Sequence, residues 1–195
     1  NSQYNLPEFK KKLDRASNRT DVAERFSDPS VRKSIEVDLG LIDHLDSQIR
    51  GLELYLERHA KVCDPRTWYR LRSVPGVGKI LALVMLYEIH TIERFPRSQQ
   101  FCSYARLVKC AKESAGKKLG FGGTKIGNAH LKWAFSEAVC LFMRESPQAK
   151  AWVEKMTKKH GKGKAMSLLA HKLGRAVYTM LKRQDAFDVN YFFNA

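Results

Sequence analysis

A single serine, Ser114, stands in the lysine- and glycine-rich segment KCAKESAGKKLGFGGTKIGNAHLKWAF, residues 109–135. A serine hydroxyl can attack a phosphodiester, but it must first be activated by a base or by a metal environment. The chain has no GxSxG elbow, and His130 is expected to belong to the following helix. Glu113 is the only acidic residue of the segment, which excludes a two-metal site built locally. The residues leave two interpretations open: a nucleophile, or a basic loop that grips phosphate.

A second stretch with possible chemistry is LRSVPGVGKILALV, residues 71–84, which has the pattern of a helix-hairpin-helix. Gly76 and Gly78 allow a tight turn whose N–H groups point outward where the next helix begins. This geometry binds a phosphate without reading its base, and Lys79 adds a positive charge. The alternative is an ordinary connection between two helices.

The distribution of charge favours a polyanionic partner. The formal net charge is +15 over 195 residues. Residues 1–60 have a net charge of −1, whereas residues 61–195 have a net charge of +16. Such an excess in one half is typical of nucleic-acid-binding proteins. An anionic membrane is the competing partner, but the chain has no apolar run of membrane-spanning length and no signal peptide at its start.

The elements that must position these residues are helical. Residues 1–27 read as an arm or linker, and SDPS then predicts a helix that starts with Asp28 as its cap and Pro29 as its first residue. Heptad rows along residues 28–63 predict a coiled-coil helix, with a long helix packed on its own domain as the alternative. One row contains Ile35, Ile42, Ile49 and Leu56, and the other contains Leu45 and Leu52.

The basic part, residues 64–188, is predicted to be a compact helical domain, followed by a tail at 189–195. Apolar residues recur at helical spacing on both sides of PGVG and in four later segments, which start at the following sequences: SQQF, NAHL, SPQA and KAMS. Asn128 and Ser146 are the expected caps of the helices that begin at NAHL and SPQA. The glycine-rich stretch at 116–127 is predicted to be a loop. No β alternation is visible, so we predict an all-α fold. The four cysteines have no metal-ligand spacing and read as reduced core thiols of a cytosolic protein.

Four segments resemble the C-terminal transposase domain of a bacterial insertion-sequence family: LRSVPGVGKILALVMLYEI, FPRSQQFCSYARLVKCAKESAGK, GGTKIGNAHLKWAFSEAV and KKHGKGKAMSLLAHKLGRAVYTMLKR. Members of this family are serine-dependent and carry an RNase-H-like domain; some are guided by a bridge RNA, and the pilin-gene invertase is a relative. The resemblance covers residues 30–188. It implies that the chain is the C-terminal part of a DNA transposase or site-specific recombinase. The alternative function is a non-catalytic module for nucleic-acid binding and oligomerisation.

The resemblance also assigns roles to residues. It implies that Ser114 is the nucleophile, followed by Gly116 and Lys117. A family segment of the form G-T/S-K-x-G-N matches residues 123–128. The residues that would contact DNA or RNA phosphates on this basis are Arg106, Lys109, Lys112, Gly116, Lys117, Lys118, Thr124, Lys125 and Asn128.

The family further implies partners and a cofactor outside these residues. Its members hold Mg²⁺ on the acidic residues of the RNase-H-like domain, which this chain lacks, so we expect no cofactor here and no strand cleavage by the chain alone. The expected partners are DNA, a bridge or guide RNA in some members, and further copies joined through the coiled coil. No membrane partner is expected, and the implied location is the bacterial cytoplasm near the nucleoid.

Overall fold

A computed structural model describes residues 4–108, 110–114, 117–122 and 126–194 of the chain. The chain divides into two compact units, residues 1–55 and residues 56–195. The division falls inside the longest helix. The predicted all-α class is confirmed for the body of the protein, which is built from eight α-helices in the described residues. None of these helices is long and apolar enough to span a bilayer.

Seven of the eight helices follow the predicted segments closely, and the last one lies in the predicted tail. The eight helices are α1 (Pro29–Cys63), α2 (Pro65–Ser73), α3 (Lys79–Ile89), α4 (Ser98–Tyr104), α5 (Ala129–Glu145), α6 (Pro147–His160), α7 (Lys162–Arg183) and α8 (Val189–Asn194).

The glycine-rich stretch differs from the prediction of a loop. Its residues 117–122 form a strand, β2 (Lys117–Gly122), which pairs antiparallel with the preceding strand β1 (Cys110–Ser114) to make a hairpin. Only two residues separate the strands, which is the connection length that antiparallel hairpins favour. The strands lack the alternation of apolar and polar residues that a half-buried strand shows, because they pair with each other and not with a larger sheet. The loop prediction is therefore wrong for residues 117–122.

The N-terminal unit, residues 1–55, is organised around a buried arginine that the sequence did not single out. Arg19 is 6% exposed. Its guanidinium donates to the Leu13 carbonyl at 2.7 Å and forms ion pairs with Asp43 and Asp46 of α1. An arginine with several fixed donors can hold two chain segments together. The predicted arm is therefore anchored on α1.

Helix caps explain why several helices begin where the sequence predicted. The Asp28 carboxylate accepts from the Ser30 amide at 2.8 Å, directly before Pro29. The Ser146 hydroxyl accepts from the Ala149 amide at 3.2 Å at the start of α6. Both side chains satisfy amides that have no partner within their helix. The predicted Asp28 and Ser146 caps are confirmed.

The core of the unit formed by residues 56–195 lies around α7, which packs against α4, α5 and α6. Trp68, Phe101, Phe135 and Phe142 are fully buried there. Edge-to-face contacts join Phe101 to Phe135, whose ring centroids are 6.1 Å apart. Aromatic burial of this extent is a main source of stabilisation in a helical domain.

The predicted tail is part of this core. Residues 189–194 form α8, whose first amides are capped by the Asp188 carboxylate. Phe192 is 3% exposed and its ring centroid lies 5.7 Å from that of Phe142. The free energy gained by burying this ring holds α8 in place, although six residues would be too short for a stable helix in isolation.

The cysteines divide into two groups. Cys102 is buried, and burial raises the pKa of its thiol to about 11, which keeps it protonated and unreactive at neutral pH. Cys63 and Cys140 are exposed, so the prediction that the cysteines are core residues holds only for Cys102 among the three whose side chains are described. The side chain of Cys110 lies outside the described residues.

Candidate nucleic-acid interface

The hairpin carries Ser114 at its outer end. Ser114 is the last residue of β1 and pairs with Lys117, the first residue of β2. Lys112 pairs with Gly120, and the register shifts between Lys112 and Glu113. A shift of this kind bends a strand and changes its twist. Ser114 therefore lies beside the two-residue connection, at the end of the hairpin that is farthest along the strands from the helical body.

Several residues predicted to contact phosphate have no described side chain. Lys109, Gly116, Thr124 and Lys125 lie outside the described residues. For the strand residues Lys112, Ser114, Lys117 and Lys118 the structure gives the backbone alone. Their predicted roles stay predictions.

The base of the hairpin is clamped by residues on either side of it. Arg106 donates from Nε to the Gly127 carbonyl at 2.9 Å. The backbone N–H of Asn128 donates to the Tyr104 carbonyl at 2.6 Å. Gly127 has a φ of +94°, and a Cβ atom there would lie 2.5 Å from the Tyr104 carbonyl oxygen. The segment that leaves the hairpin is therefore held against the segment that enters it, and glycine is required for the close approach.

Asn128 extends this clamp to two helices. Its Oδ1 accepts from the Leu131 amide at 2.9 Å and caps α5, as the sequence predicted. Its Nδ2 donates to the Glu88 carboxylate of α3 and to the Tyr104 hydroxyl, the latter at 3.3 Å. Both ends of the side chain are thus used inside the protein. This geometry gives Asn128 a structural role, and its predicted contact with nucleic acid stays untested.

The turn between α2 and α3 uses its first glycine for packing. Gly76 is buried with a φ of +80°, and a Cβ atom there would lie 2.5 Å from both the Ala138 carbonyl oxygen and the Phe142 amide nitrogen of α5. The Gly76 amide donates to Glu145 Oε2 at 2.9 Å. The carboxylate therefore occupies the donor that the sequence pattern assigned to a phosphate, and the turn is packed tightly against α5.

The second glycine of the turn is open. Gly78 precedes α3, and the nearest atom to a Cβ built there is a guanidinium nitrogen of Arg72 at 4.0 Å. Lys79 is exposed, and its ammonium lies 3.0 Å from Glu57 Oε2. Lys61 and, to a smaller extent, Lys79 lower the pKa of Glu57. Gly78 and Lys79 remain accessible to a phosphate at the N-terminus of α3.

The sequence did not single out the acidic residues of these contacts. Glu88 bonds to a residue 40 positions away, and Glu145 to one 69 positions away. No local pattern signals such partners, because each carboxylate has ordinary helical neighbours.

A further basic region lies outside the predicted site. Residues 155–184 contain nine Lys or Arg residues and no Asp or Glu. At the corner between α6 and α7, Lys158, Lys159, Lys162 and Lys164 are all exposed. The corner turns through Gly161, which has a φ of +80° and open space around it. A composition of this kind produces a positive potential over one part of the surface.

The metal-binding capacity of the described residues is limited. Across the described ranges, no three His, Cys, Asp or Glu side chains come together as a ligand set. Mg²⁺ prefers oxygen ligands, including carboxylates, and the acidic side chains near the hairpin base and the turn are bonded to amide donors instead. These residues therefore do not fit a catalytic magnesium site.

Comparison with known proteins relates this geometry to a family. Residues 69–154 match the family model "Transposase IS116/IS110/IS902 family". The chain is 26% identical over 122 residues to the transposase for insertion sequence element IS1111A of Coxiella burnetii, which covers 60% of this chain and 34% of that protein. It is 24% identical over 149 residues to the transposase for insertion sequence element IS1328 of Yersinia enterocolitica, which covers 74% of this chain and 44% of that protein.

The matched region spans less than half the length of either curated relative. Within this chain, the region matched by the family model contains the turn between α2 and α3, the hairpin and the clamp at the hairpin base. Residues 69–154 are thus similar to the transposase domain described by the IS116/IS110/IS902 family model.

Proposed function

We propose that this chain binds DNA and supplies Ser114 as the nucleophile for strand cleavage and exchange by a transposase. The observation that carries the proposal is the family match, because the hairpin that holds Ser114 and all of its clamp fall within the matched residues 69–154. The large positive charge of residues 61–195 supports DNA as the partner. The same phosphate chemistry would accept the backbone of a guide RNA.

The proposed reaction is a transesterification. The Ser114 Oγ attacks a DNA phosphorus, the new Oγ–P bond forms, and the P–O bond to one deoxyribose breaks. The hydroxyl proton leaves Ser114, and the released deoxyribose oxygen takes up a proton. The phosphoserine link conserves the energy of the phosphodiester, so attack by another DNA hydroxyl can join strands and regenerate Ser114.

Lysines would stabilise the charge that develops on the phosphate. Lys117 and Lys118 begin β2, next to the Ser114 position, and Lys125 follows β2 in the sequence. Fixed cations near a reacting phosphate are the commonest protein contribution to phosphoryl transfer. Gly78 and Lys79 would hold a DNA phosphate at the N-terminus of α3, and that contact would position the strand without reading its sequence.

The activation of Ser114 is assigned to a different part of the transposase. The described residues offer no metal-ligand set. Both curated relatives are longer than the region that they share with this chain. In the proposal, an acidic domain outside this chain binds Mg²⁺, and the residues here bind DNA, orient the phosphate and present the hydroxyl.

Covalent trapping tests the assignment of Ser114. The transposase polypeptide that carries this sequence is incubated with a suicide DNA whose cleaved end diffuses away, and the product is digested with trypsin. We expect a nucleotide-phosphate adduct on the peptide ESAGK, residues 113–117, located on Ser114 by mass spectrometry. DNA cleavage without an adduct, or an adduct on another residue, would contradict the assignment. Salt-sensitive DNA binding with neither cleavage nor adduct would support the non-catalytic module instead.

We also propose that α1 joins copies of the chain. Leu45, Ile49 and Leu52 lie three and four residues apart on one face of α1, and each is more than half exposed. Ile42, in the same heptad series, is partly buried. Full burial of a Leu or Ile side chain stabilises by about 1.5–3 kcal/mol. An exposed row of these residues on a long helix is the surface that a second helix covers in a coiled coil.

Mutation of this face is expected to change the oligomeric state. The double change Ile49→Glu and Leu52→Glu places like charges in the seam, so we expect a monomer by light scattering where the unchanged chain is at least a dimer. Ser47→Glu with Gln48→Glu adds the same charge at exposed polar positions of α1 and should leave the oligomer intact. An unchanged chain that is already monomeric at about 100 µM, well above a micromolar dissociation constant, would contradict pairing through α1.

A further inference from the structure

A groove of about 590 Å³ lies between α7 and the C-terminal segment that includes α8. Its size is within the range of pockets that bind small ligands. The lining includes residues of α7 on one side and residues 185–192 on the other. The groove is formed by a part of the chain that follows residues 69–154, and the roles proposed for the hairpin and the turn do not involve it.

The α7 side of the groove is cationic. Lys172, Arg175 and Arg183 line it, and on an α-helix these three positions fall within an arc of about 80°. They therefore face the same space along roughly three turns. A row of this kind can follow a chain of phosphates better than a single ion.

Two of these cations have no counter-ion among the described residues. Neither Arg175 nor Arg183 forms an ion pair there. Burial lowers the pKa of Lys172, and the nearby Arg175 guanidinium lowers it further. A bound anion would relieve the repulsion between the positive charges of Lys172 and Arg175. The groove therefore favours a negatively charged ligand.

The opposite side of the groove offers a flat ring and a hydrogen-bond acceptor. Tyr191 lines the groove and is 60% exposed, so its ring is available for stacking on a base. Asp188 Oδ1 accepts from the amides of both Asn190 and Tyr191, where it caps α8. The Asp185 carboxylate forms no ion pair with a described residue and remains available to a donor in the groove.

We propose that this groove binds a nucleotide of a single-stranded nucleic acid, with its phosphates on Arg175 and Arg183 and its base stacked on Tyr191. Asp185 accepts a hydrogen bond from the base edge or the sugar. A simple anion would use the arginines but would leave Tyr191 and Asp185 without a role. Duplex DNA would not present a base face to Tyr191, because its bases are stacked on each other. The site stands independently of the role of Ser114.

Fluorescence anisotropy with labelled 12-nucleotide single strands, one of DNA and one of RNA, tests the site. Stacking is worth about 1–3 kcal/mol per base, so Tyr191→Ala should weaken single-strand binding by about fivefold or more. Arg175→Gln should weaken it and reduce its dependence on salt. The ratio of the two wild-type affinities identifies the source of the strand: tighter RNA binding indicates a guide-type partner, and tighter DNA binding indicates a displaced strand.

Matched controls separate this site from general basicity. Tyr69→Ala removes a tyrosine of α2 that is 61% exposed and lies outside the groove, and Arg144→Gln removes an exposed charge of α5. Both should change single-strand affinity by less than twofold, and Tyr191→Ala should change duplex affinity by less than twofold. The proposal is overturned if Tyr191→Ala and Tyr69→Ala have equal effects or if Tyr191→Ala lowers duplex affinity as much as single-strand affinity. It is also overturned if AMP displaces the labelled strand as effectively as an unlabelled 12-nucleotide strand does.

Discussion

Replacing Gly76 with alanine is expected to lower the free energy of unfolding of the unit formed by residues 56–195 by at least about 4 kcal/mol, and its Tm by roughly 10–15 °C. The added Cβ would lie 2.5 Å from two backbone atoms of α5, which cannot move aside as a flexible side chain can. The φ of +80° adds about 1–2 kcal/mol of strain for any L-residue with a Cβ. Displacement of the turn would also remove the hydrogen bond from Gly76 to Glu145.

Gly161→Ala provides the matched control for this change. Gly161 has the same φ of +80°, but a Cβ there meets nothing within 4 Å. Urea or thermal unfolding followed by circular dichroism should therefore show a small loss for Gly161→Ala, due to backbone strain alone, and a far larger loss for Gly76→Ala. Equal losses in the two variants would show that α5 does not restrict the turn. A folded Gly76→Ala variant with selectively weakened DNA binding would instead favour the phosphate contact that the sequence pattern suggested.

Replacing Ser114 with alanine is expected to abolish strand exchange while preserving binding and folding. In the full polypeptide that carries this sequence, loss of the proposed covalent nucleophile should lower the rate of strand exchange by about three orders of magnitude or more. Duplex affinity should change by less than twofold, because one neutral hydroxyl contributes little beside the many positive charges of residues 61–195. A strand-exchange assay and an anisotropy titration on the same preparation measure both quantities.

Ser136→Ala is the control for the Ser114 change. Ser136 is exposed on α5, and its hydroxyl donates to the Lys132 carbonyl within the helix. This variant should retain both strand exchange and binding. If the Ser114→Ala variant exchanges strands at the full rate, Ser114 is not the nucleophile. If its DNA affinity falls together with its rate, the hairpin binds phosphate without attacking it.

The features that the sequence predicted well are encoded locally. Asp28, Asn128 and Ser146 cap their helices through amides two or three residues away, so residue type and spacing suffice to predict them. The helical segments could also be predicted, because apolar residues spaced three and four positions apart define their buried faces. The fold class followed from these local signals.

The features that the sequence did not predict depend on distant partners. The packing of Gly76 against α5 was not predicted, because it joins residues more than 60 positions apart. Residues 117–122 were predicted to be a loop because their sequence shows no apolar alternation. Strand pairing and the clamp at the hairpin base hold the hairpin together instead. The tail became α8 because Phe192 reaches the core. Tertiary burial decides such elements, and no short window of sequence contains it.

The packing of Gly76 against α5 also changes how an alignment of relatives should be interpreted. A column that is always glycine at this position would ordinarily suggest a ligand contact, yet steric exclusion by the α5 backbone alone would preserve it under selection for folding. Gly78, whose surroundings are open, faces no such restriction. Drift at the Gly76 column in functional homologues would then require compensating changes in α5, whereas invariance at the Gly78 column would be the informative signature of phosphate recognition.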